Sequence, residues 1–291
     1  MLAAMPRLLL LALVFAVAAG GFWLLSDGDV DDGGEGALVF PDVLPTGEPP
    51  TEDPWTDADW VVPHVERACE AVEAICGEPF QVRPTLRIGT GIELSDLYRL
   101  SAIEYAKRYD KPMPPDLHGN EAEFAEFAKY QFGRYFREAH AITVSKDAIE
   151  NYRDDLRESL HGGDGVKLVL VHELTHAWQH ERFKRMWLQY LFQTDKSASK
   201  CAWAMIEGHA QHVTRRVAER WGMAEAFSDM RAYFEGADED WDEADRMGSE
   251  NWRNYVAGQD FIDRVYEEGG DERVREAMEH PPTRWRYIYE P

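Results

Sequence analysis

The chain has 291 residues, of which 44% are hydrophobic and 12% aromatic, enough apolar matter for one large domain or two small ones and too much for a disordered chain. Fifty-four Asp and Glu stand against 31 Lys and Arg, a formal charge of −23 whose field repels phosphates and argues against nucleic acid as a partner. Three cysteines, none in a CxxC pair, are too few for a disulfide scaffold or a thiolate zinc site.

Residues 8–25, LLLLALVFAVAAGGFWLL, run for 18 positions without a charge, with Arg7 before them and SDGDVDD after. That polarity keeps the basic flank inside and sends the rest of the chain across the membrane. A cleaved signal peptide, with Ala16-Val17-Ala18 at the cleavage site, and an uncleaved signal anchor both fit residues 1–25. The protein is thus expected outside the cytoplasm, secreted or held to the membrane by one N-terminal helix. Residues 26–60 carry eleven acidic and no basic side chains among Gly and Pro, and read as an acidic disordered tether. Residues 61–291 form the expected catalytic domain, with a charge of about −13. Export permits disulfides. Cys69 and Cys76, however, are seven apart on an expected helix, about 10.5 Å at 1.5 Å per residue, where a bridge needs about 5.5 Å.

Within the domain, Val61, Val65, Ala68, Val72 and Ile75 recur at three and four, predicting a helix that ends at Gly77. FQVRPTLRIG predicts a strand, with Pro84 pointing to an edge or a bend. Residues 95–109 and 121–132 read as helices. YFREAHAITVS, 135–145, reads as a second strand, followed by a helix from Lys146 to about Leu160 and a Gly-Gly-Asp-Gly turn at 162–165. From Val166 onward the pattern is nearly all helix, in five or six pieces. A small N-terminal sheet followed by a mostly helical C-terminal part is an α+β domain.

The helix expected over 166–183 contains His172-Glu173-Leu174-Thr175-His176, an HExxH pattern. Residues four apart on a helix share a face, so both imidazoles reach one Zn²⁺ at about 2.0–2.1 Å, while Glu173 is directed to where an activated water would sit. HExxH fixes only three positions and recurs by accident. Here Val169, Leu170, Val171, Leu174, Ala177 and Trp178 surround the polar trio with apolar side chains, as in a helix buried through a cleft. Unpaired polar groups there would be costly. His180 lies a further turn on, and three rings spread over about 12 Å of helix do not converge on one ion. A metzincin would have Gly and His where this chain has Gln179 and Arg182. On the helix expected over 199–222, the stripe of Ala202, Met205, Ile206 and Val213 is interrupted by Glu207, and Gly208 follows it. This marks Glu207 as the third ligand. Tyr255, His209, His212 and a C-terminal Arg are candidates to steady an oxyanion. His209 lies about 200° around its helix from Glu207, which predicts that it faces away from the metal. Gln211 shares the face of Glu207 and is the better candidate to support a ligand from behind.

HELTHAWQ at 172–179, IEGHA at 206–210, YVAGQDFIDRVYEEGG at 255–270 and EHPPT at 279–283 together resemble a group of exported bacterial zincin-like metallopeptidases of the gluzincin type, whose signatures are HELTHAxQ, EGxA and PPT. The resemblance covers about residues 165–291. It implies a zincin-like fold, one Zn²⁺ per chain held by His172, His176 and Glu207, and Glu173 as catalytic base. The chain departs from the group at His209, where an acidic residue is common. It departs again after PPT, where it reads Arg284-Trp285-Arg286-Tyr287 and ends Glu290-Pro291. No role of the group's terminal histidine carries over.

Spacing and resemblance together predict a zinc-dependent peptidase that hydrolyses peptide or protein substrates through a metal-activated water. Two rivals are a catalytically degenerate zincin kept as an envelope binding or scaffold module, and a metal-dependent hydrolase acting on another bond. Loss of the base would be harmless to a scaffold, so the presence of Glu173 argues against the first. GADEDWDEADR, 236–246, lacks the spacing of an EF-hand and reads as a solvated acidic loop.

Overall fold

The computed structural model describes residues 62–108, 131, 133–137, 139–151, 163–192, 195–236, 249 and 252–289. Helix α1 (Val62–Cys76) leads to strand β1 (Thr85–Gly89), helix α2 (Gly91–Arg108), strands β2 (Gly133–Phe136) and β3 (Ala141–Ser145) and helix α3 (Lys146–Asn151). Helices α4 (Gly163–Arg182), α5 (Lys184–Phe192), α6 (Lys196–Trp221) and α7 (Ala224–Phe234) follow. A π-helical turn (Trp252–Ala257), α8 (Gly258–Glu279) and α9 (Arg286–Tyr289) complete the described chain. The class is α+β, as composition and patterning predict.

The sheet has three strands in the order β1-β3-β2. β1 runs parallel to β3, with Leu86 beside Ile142, and lies at an edge as Pro84 predicts. β2 pairs antiparallel with β3, with Tyr135 beside Ile142. The single strand expected over 135–145 is therefore a corner between two strands. His140, with φ of 45°, turns the chain there, a left-handed conformation that β-forming residues avoid and that hydropathy alternation does not register.

Two other expectations change. The Gly-Gly-Asp-Gly turn is instead the start of α4, which begins at Gly163 and has Asp164 in its first turn, where a carboxylate favours the helix N-terminus. α8 is broken at Gly269-Gly270, with φ of 67° at Gly270, so it is two helices in series. The helix expected over 121–132, most of the expected helix 146–160, nearly all of the acidic loop, residues 1–60 and the three-part division of the chain lie outside the described residues. Among the described residues, no helix is long and apolar enough to cross a membrane.

The core gathers around α4 and α6, which pack directly against each other, with α1 on α4 and α8 on α6. α6 is delimited by side-chain chemistry. Asp195 accepts a hydrogen bond from the Ser197 amide at its start, and Gly222, with φ of 74°, closes its end. Its unbroken buried run from Ala204 to Thr214 leaves Glu207 wholly buried. Cys69, Cys76 and Cys201 are free thiols, all buried. The first two lie on one unbroken helix, which rules out a bridge between them.

Candidate metal centre

α4 is buried along its middle because its apolar flanks face α1, α6 and the sheet. It presents His172, Glu173 and His176 inside the protein, each at most 3% exposed. Their donor atoms lie within 4.8 Å of one another. Strand β2 lies across this helix at Gly133. A Cβ there would fall 2.3 Å from Val169 Cγ1 and 3.3 Å from Glu173 Cγ, so only glycine allows the approach. The contact lets the outward backbone N–H of Tyr135 donate to Glu173 Oε2 at 2.6 Å. Glu173 Oε1 is buried without a hydrogen-bond partner among the described residues, so this oxygen is free to accept a proton from a bound molecule.

Glu207 arrives from α6. Its Oε2 lies 3.1 Å from His172 Nε2 and 3.3 Å from His176 Nε2, and the two imidazole nitrogens are 3.1 Å apart. Tetrahedral ligands at 2.0–2.1 Å from Zn²⁺ stand about 3.3 Å from one another, so the three atoms have the spacing of three corners of such a tetrahedron. Two neutral nitrogens and a carboxylate oxygen are also the donor set of a catalytic zinc site with one position open. The residues present fit the ion. Glu207 meets both imidazoles, whereas one oxygen of Glu173 is committed to β2, so the two carboxylates stand in different surroundings.

The charges support one another. Burial pushes the Glu207 carboxyl upward, but the His176 and His172 imidazoles outweigh it and hold the group well below the usual carboxylate range. Burial likewise presses His176 down, and the Glu207 carboxylate, aided by Glu173 and the hydrogen bond that His176 donates to Gln179 Oε1, raises it to about 9. Burial, followed by the fields of Glu207 and Glu173, lifts the Tyr255 phenol well above its ordinary value. Its proton therefore stays in place at neutral pH.

Residues behind the ligands come from places that patterning does not mark. Trp203, one turn before Glu207, donates its indole N–H to Glu207 Oε1 at 3.0 Å and so holds the oxygen that faces away from the histidines. Gln179 Oε1 lies 3.0 Å from His176 Nδ1, and Gln179 Nε2 lies 2.8 Å from the Ile206 carbonyl and 3.0 Å from His209 Nδ1. His209, expected to face away, is thus joined to the site through Gln179, because the helical wheel of α6 does not show that α4 fills the space beside it. Gln211, expected to support a ligand, is buried with an unpartnered Oε1 and has no hydrogen bond to the ligand residues. Gln179 occupies that role instead. The Gln in HELTHAWQ, three after His176, is the available signal.

Tyr255 sits in the π-helical turn, stacked on Phe234 with ring centroids 4.2 Å apart and planes at 9°. Its hydroxyl lies in the field of the Glu207 carboxylate, and its ring lies 5.9 Å from that of His172. π-helical turns often occur at functional sites, and this one turns Tyr255 into the ligand cluster. His212 is placed elsewhere, 2.5 Å from Asp263 through Nδ1. His180 Nδ1 lies 3.0 Å from the Tyr135 hydroxyl.

Comparison with known proteins agrees with a hydrolytic site. A family model described as a peptidase of plants and bacteria matches residues 135–249, less than half of the chain but including His172, Glu173, His176 and Glu207. This match supports a peptidase, and with it a peptide or protein substrate. No curated protein matches. The fold is similar to a crystal structure from Chloroflexus aurantiacus, described as a candidate hydrolase with a novel fold. The two share 15% identity and a TM-score of 0.55, over 83% of this chain and 90% of that one.

Proposed function

We propose that the chain is a zinc-dependent peptidase of the zincin type, acting outside the cytoplasm. The observation that carries the reading is the meeting of His172 Nε2, His176 Nε2 and Glu207 Oε2 at 3.1–3.3 Å in a buried site, with a partly uncommitted carboxylate, Glu173, beside them. The peptidase family match supports the reaction class, and the charge-free segment 8–25 supports export.

His172, His176 and Glu207 would hold a zinc ion, which would supply Lewis acidity and lower the pKa of a nearby water toward about 7. Glu173 Oε1 takes the proton of that water and delivers it to the leaving amine. The Tyr135 amide, by holding Oε2, keeps the other oxygen turned into the site. Tyr255 keeps its hydroxyl proton at neutral pH and donates it as a hydrogen bond to the carbonyl oxygen as negative charge develops there.

The test is hydrolysis of an unstructured protein such as casein by the zinc-loaded chain and by Glu173→Gln. The amide keeps its shape but cannot take the proton, so zinc stays and turnover falls by about 10²–10⁴-fold. Equal turnover in both forms overturns the mechanism, and binding without turnover in either form identifies a scaffold.

A further inference from the structure

We propose that Gln179 and His209 form a brace that sets which nitrogen of His176 carries the proton, making both of them positioning residues for the metal. The inference rests on the zinc reading above and concerns what keeps one ligand in its binding form.

A histidine binds a metal through a bare ring nitrogen, and its other nitrogen must then hold the proton. Gln179 faces His176 Nδ1 at 3.0 Å through Oε1, an atom that only accepts hydrogen bonds. In its metal-binding form His176 therefore keeps its proton on Nδ1 and turns the lone pair of Nε2 toward the space it shares with His172 and Glu207. An amide turned over by 180° would do the reverse. Its N–H would face Nδ1, and the ring proton would move to Nε2, into the ligand cluster.

What prevents the turn lies on the other side of the amide. Gln179 Nε2 spends both hydrogens, one on the Ile206 carbonyl at 2.8 Å and one on His209 Nδ1 at 3.0 Å. The carbonyl has no hydrogen to offer, so a reversed amide would set oxygen against oxygen. His209 adds a second acceptor only while its Nδ1 faces Gln179, and its ring is held there. It stacks on Trp178 at 6.1 Å with 19° between planes and meets Phe183 edge-on at 6.3 Å. Gln179 is wholly buried and His209 is 5% exposed, so water does not replace either partner. The brace also ties α4, which bears His176, to the turn of α6 that bears Glu207.

A packing role and a hydrogen-bonding role for His209 predict opposite results. In His209→Asn the side-chain carbonyl takes the place of Nδ1 and still accepts from Gln179. In His209→Leu the apolar contact with Trp178 and Phe183 survives and the acceptor is lost. Zinc affinity of the full chain, measured by competition with a chromophoric chelator, is expected to weaken by about 10–100-fold in Gln179→Ala and about tenfold in His209→Leu. His209→Asn stays within a few-fold of the wild type. In the zinc-loaded protein, the His176 Nδ1 proton exchanges slowly with water in the wild type and His209→Asn, and rapidly in Gln179→Ala. If His209→Leu binds as the wild type while His209→Asn weakens, or if Gln179→Ala loses nothing, the brace is overturned and the zinc site stands. A wild-type chain that takes up no zinc overturns the metal reading itself.

Discussion

Gly208 and Gly258 touch backbone to backbone. A Cβ on Gly208 would lie 2.2 Å from the carbonyl carbon of Gly258, and one on Gly258 would lie 2.2 Å from the Ala204 oxygen. The contact brings α8 and the π-helical turn before it against α6, one residue from Glu207, and so sets Tyr255 beside the ligand carboxylate. The groups facing each glycine are backbone, which cannot rotate away.

Gly208→Ala therefore separates two helices rather than filling a gap. Overpacking of this kind costs about 1–3 kcal/mol, and for a domain of this size each kcal/mol lowers Tm by about 2–4 °C. Thermal unfolding followed by circular dichroism should show a drop of at least about 2 °C. A Tm equal to that of the wild type would mean that the helices do not meet at this point.

Tyr255→Phe removes one hydroxyl and leaves the stacking on Phe234. If that hydroxyl steadies the developing oxyanion, kcat falls by about 10²–10³-fold while KM changes little, and zinc remains bound. A loss of zinc with unchanged kcat in the loaded fraction would instead confine Tyr255 to holding Glu207.

The ligand cluster gives the metal-free protein a defined pH dependence. His176 is raised to about 9 when folded, against about 6.5 unfolded. Its contribution to stability is thus fully present below pH 6.5 and is lost as pH rises through about 9. Glu207 is depressed when folded, so its contribution is present above about pH 4.3 and is lost on acidification through its lowered value. Chelator-treated protein should lose Tm steadily between pH 6.5 and 9. Zinc must displace the proton on His176, so zinc binding at pH 7 releases close to one proton, measurable by calorimetry in buffers of different ionisation enthalpy. Zinc uptake without proton release would contradict the coupled pair.

The three cysteines should behave as buried thiols. Burial pushes Cys69 and Cys201 up to about 12 and Cys76 higher still, which leaves almost no thiolate at pH 8. A chromogenic disulfide reagent should react slowly with all three in the native protein and rapidly in denaturant. Fast reaction of one thiol in the native state would place it at the surface.

The parts of the site visible in the sequence are those set by helical spacing. His172, Glu173 and His176 lie within one stretch, and Glu207 breaks an apolar stripe on α6, so the periodicity of each helix alone points to them. The supporting residues depend on how α4, α6 and the π-helical turn sit together. Trp203 and Gln179 look like ordinary helix residues until the Glu207 carboxylate and the His176 ring are placed beside them. Gln211 is preferred to His209 in the sequence because a wheel drawn for one helix shows only that helix's neighbours, and Gln179 stands on the other helix. The same limit made one strand out of β2 and β3, since Ala139 and His140 continue the apolar alternation while the backbone turns. Which backbone Gly208 and Gly258 each meet depends on how α6 and α8 cross, which the periodicity of neither helix shows.

The most direct test of the central claim is the metal content of the purified full chain, measured by mass spectrometry beside Glu207→Ala. About one zinc per chain is expected, lost in the variant because two histidines four apart on one helix make an incomplete site. Zinc absent from the wild type, or retained in full by Glu207→Ala, would contradict it.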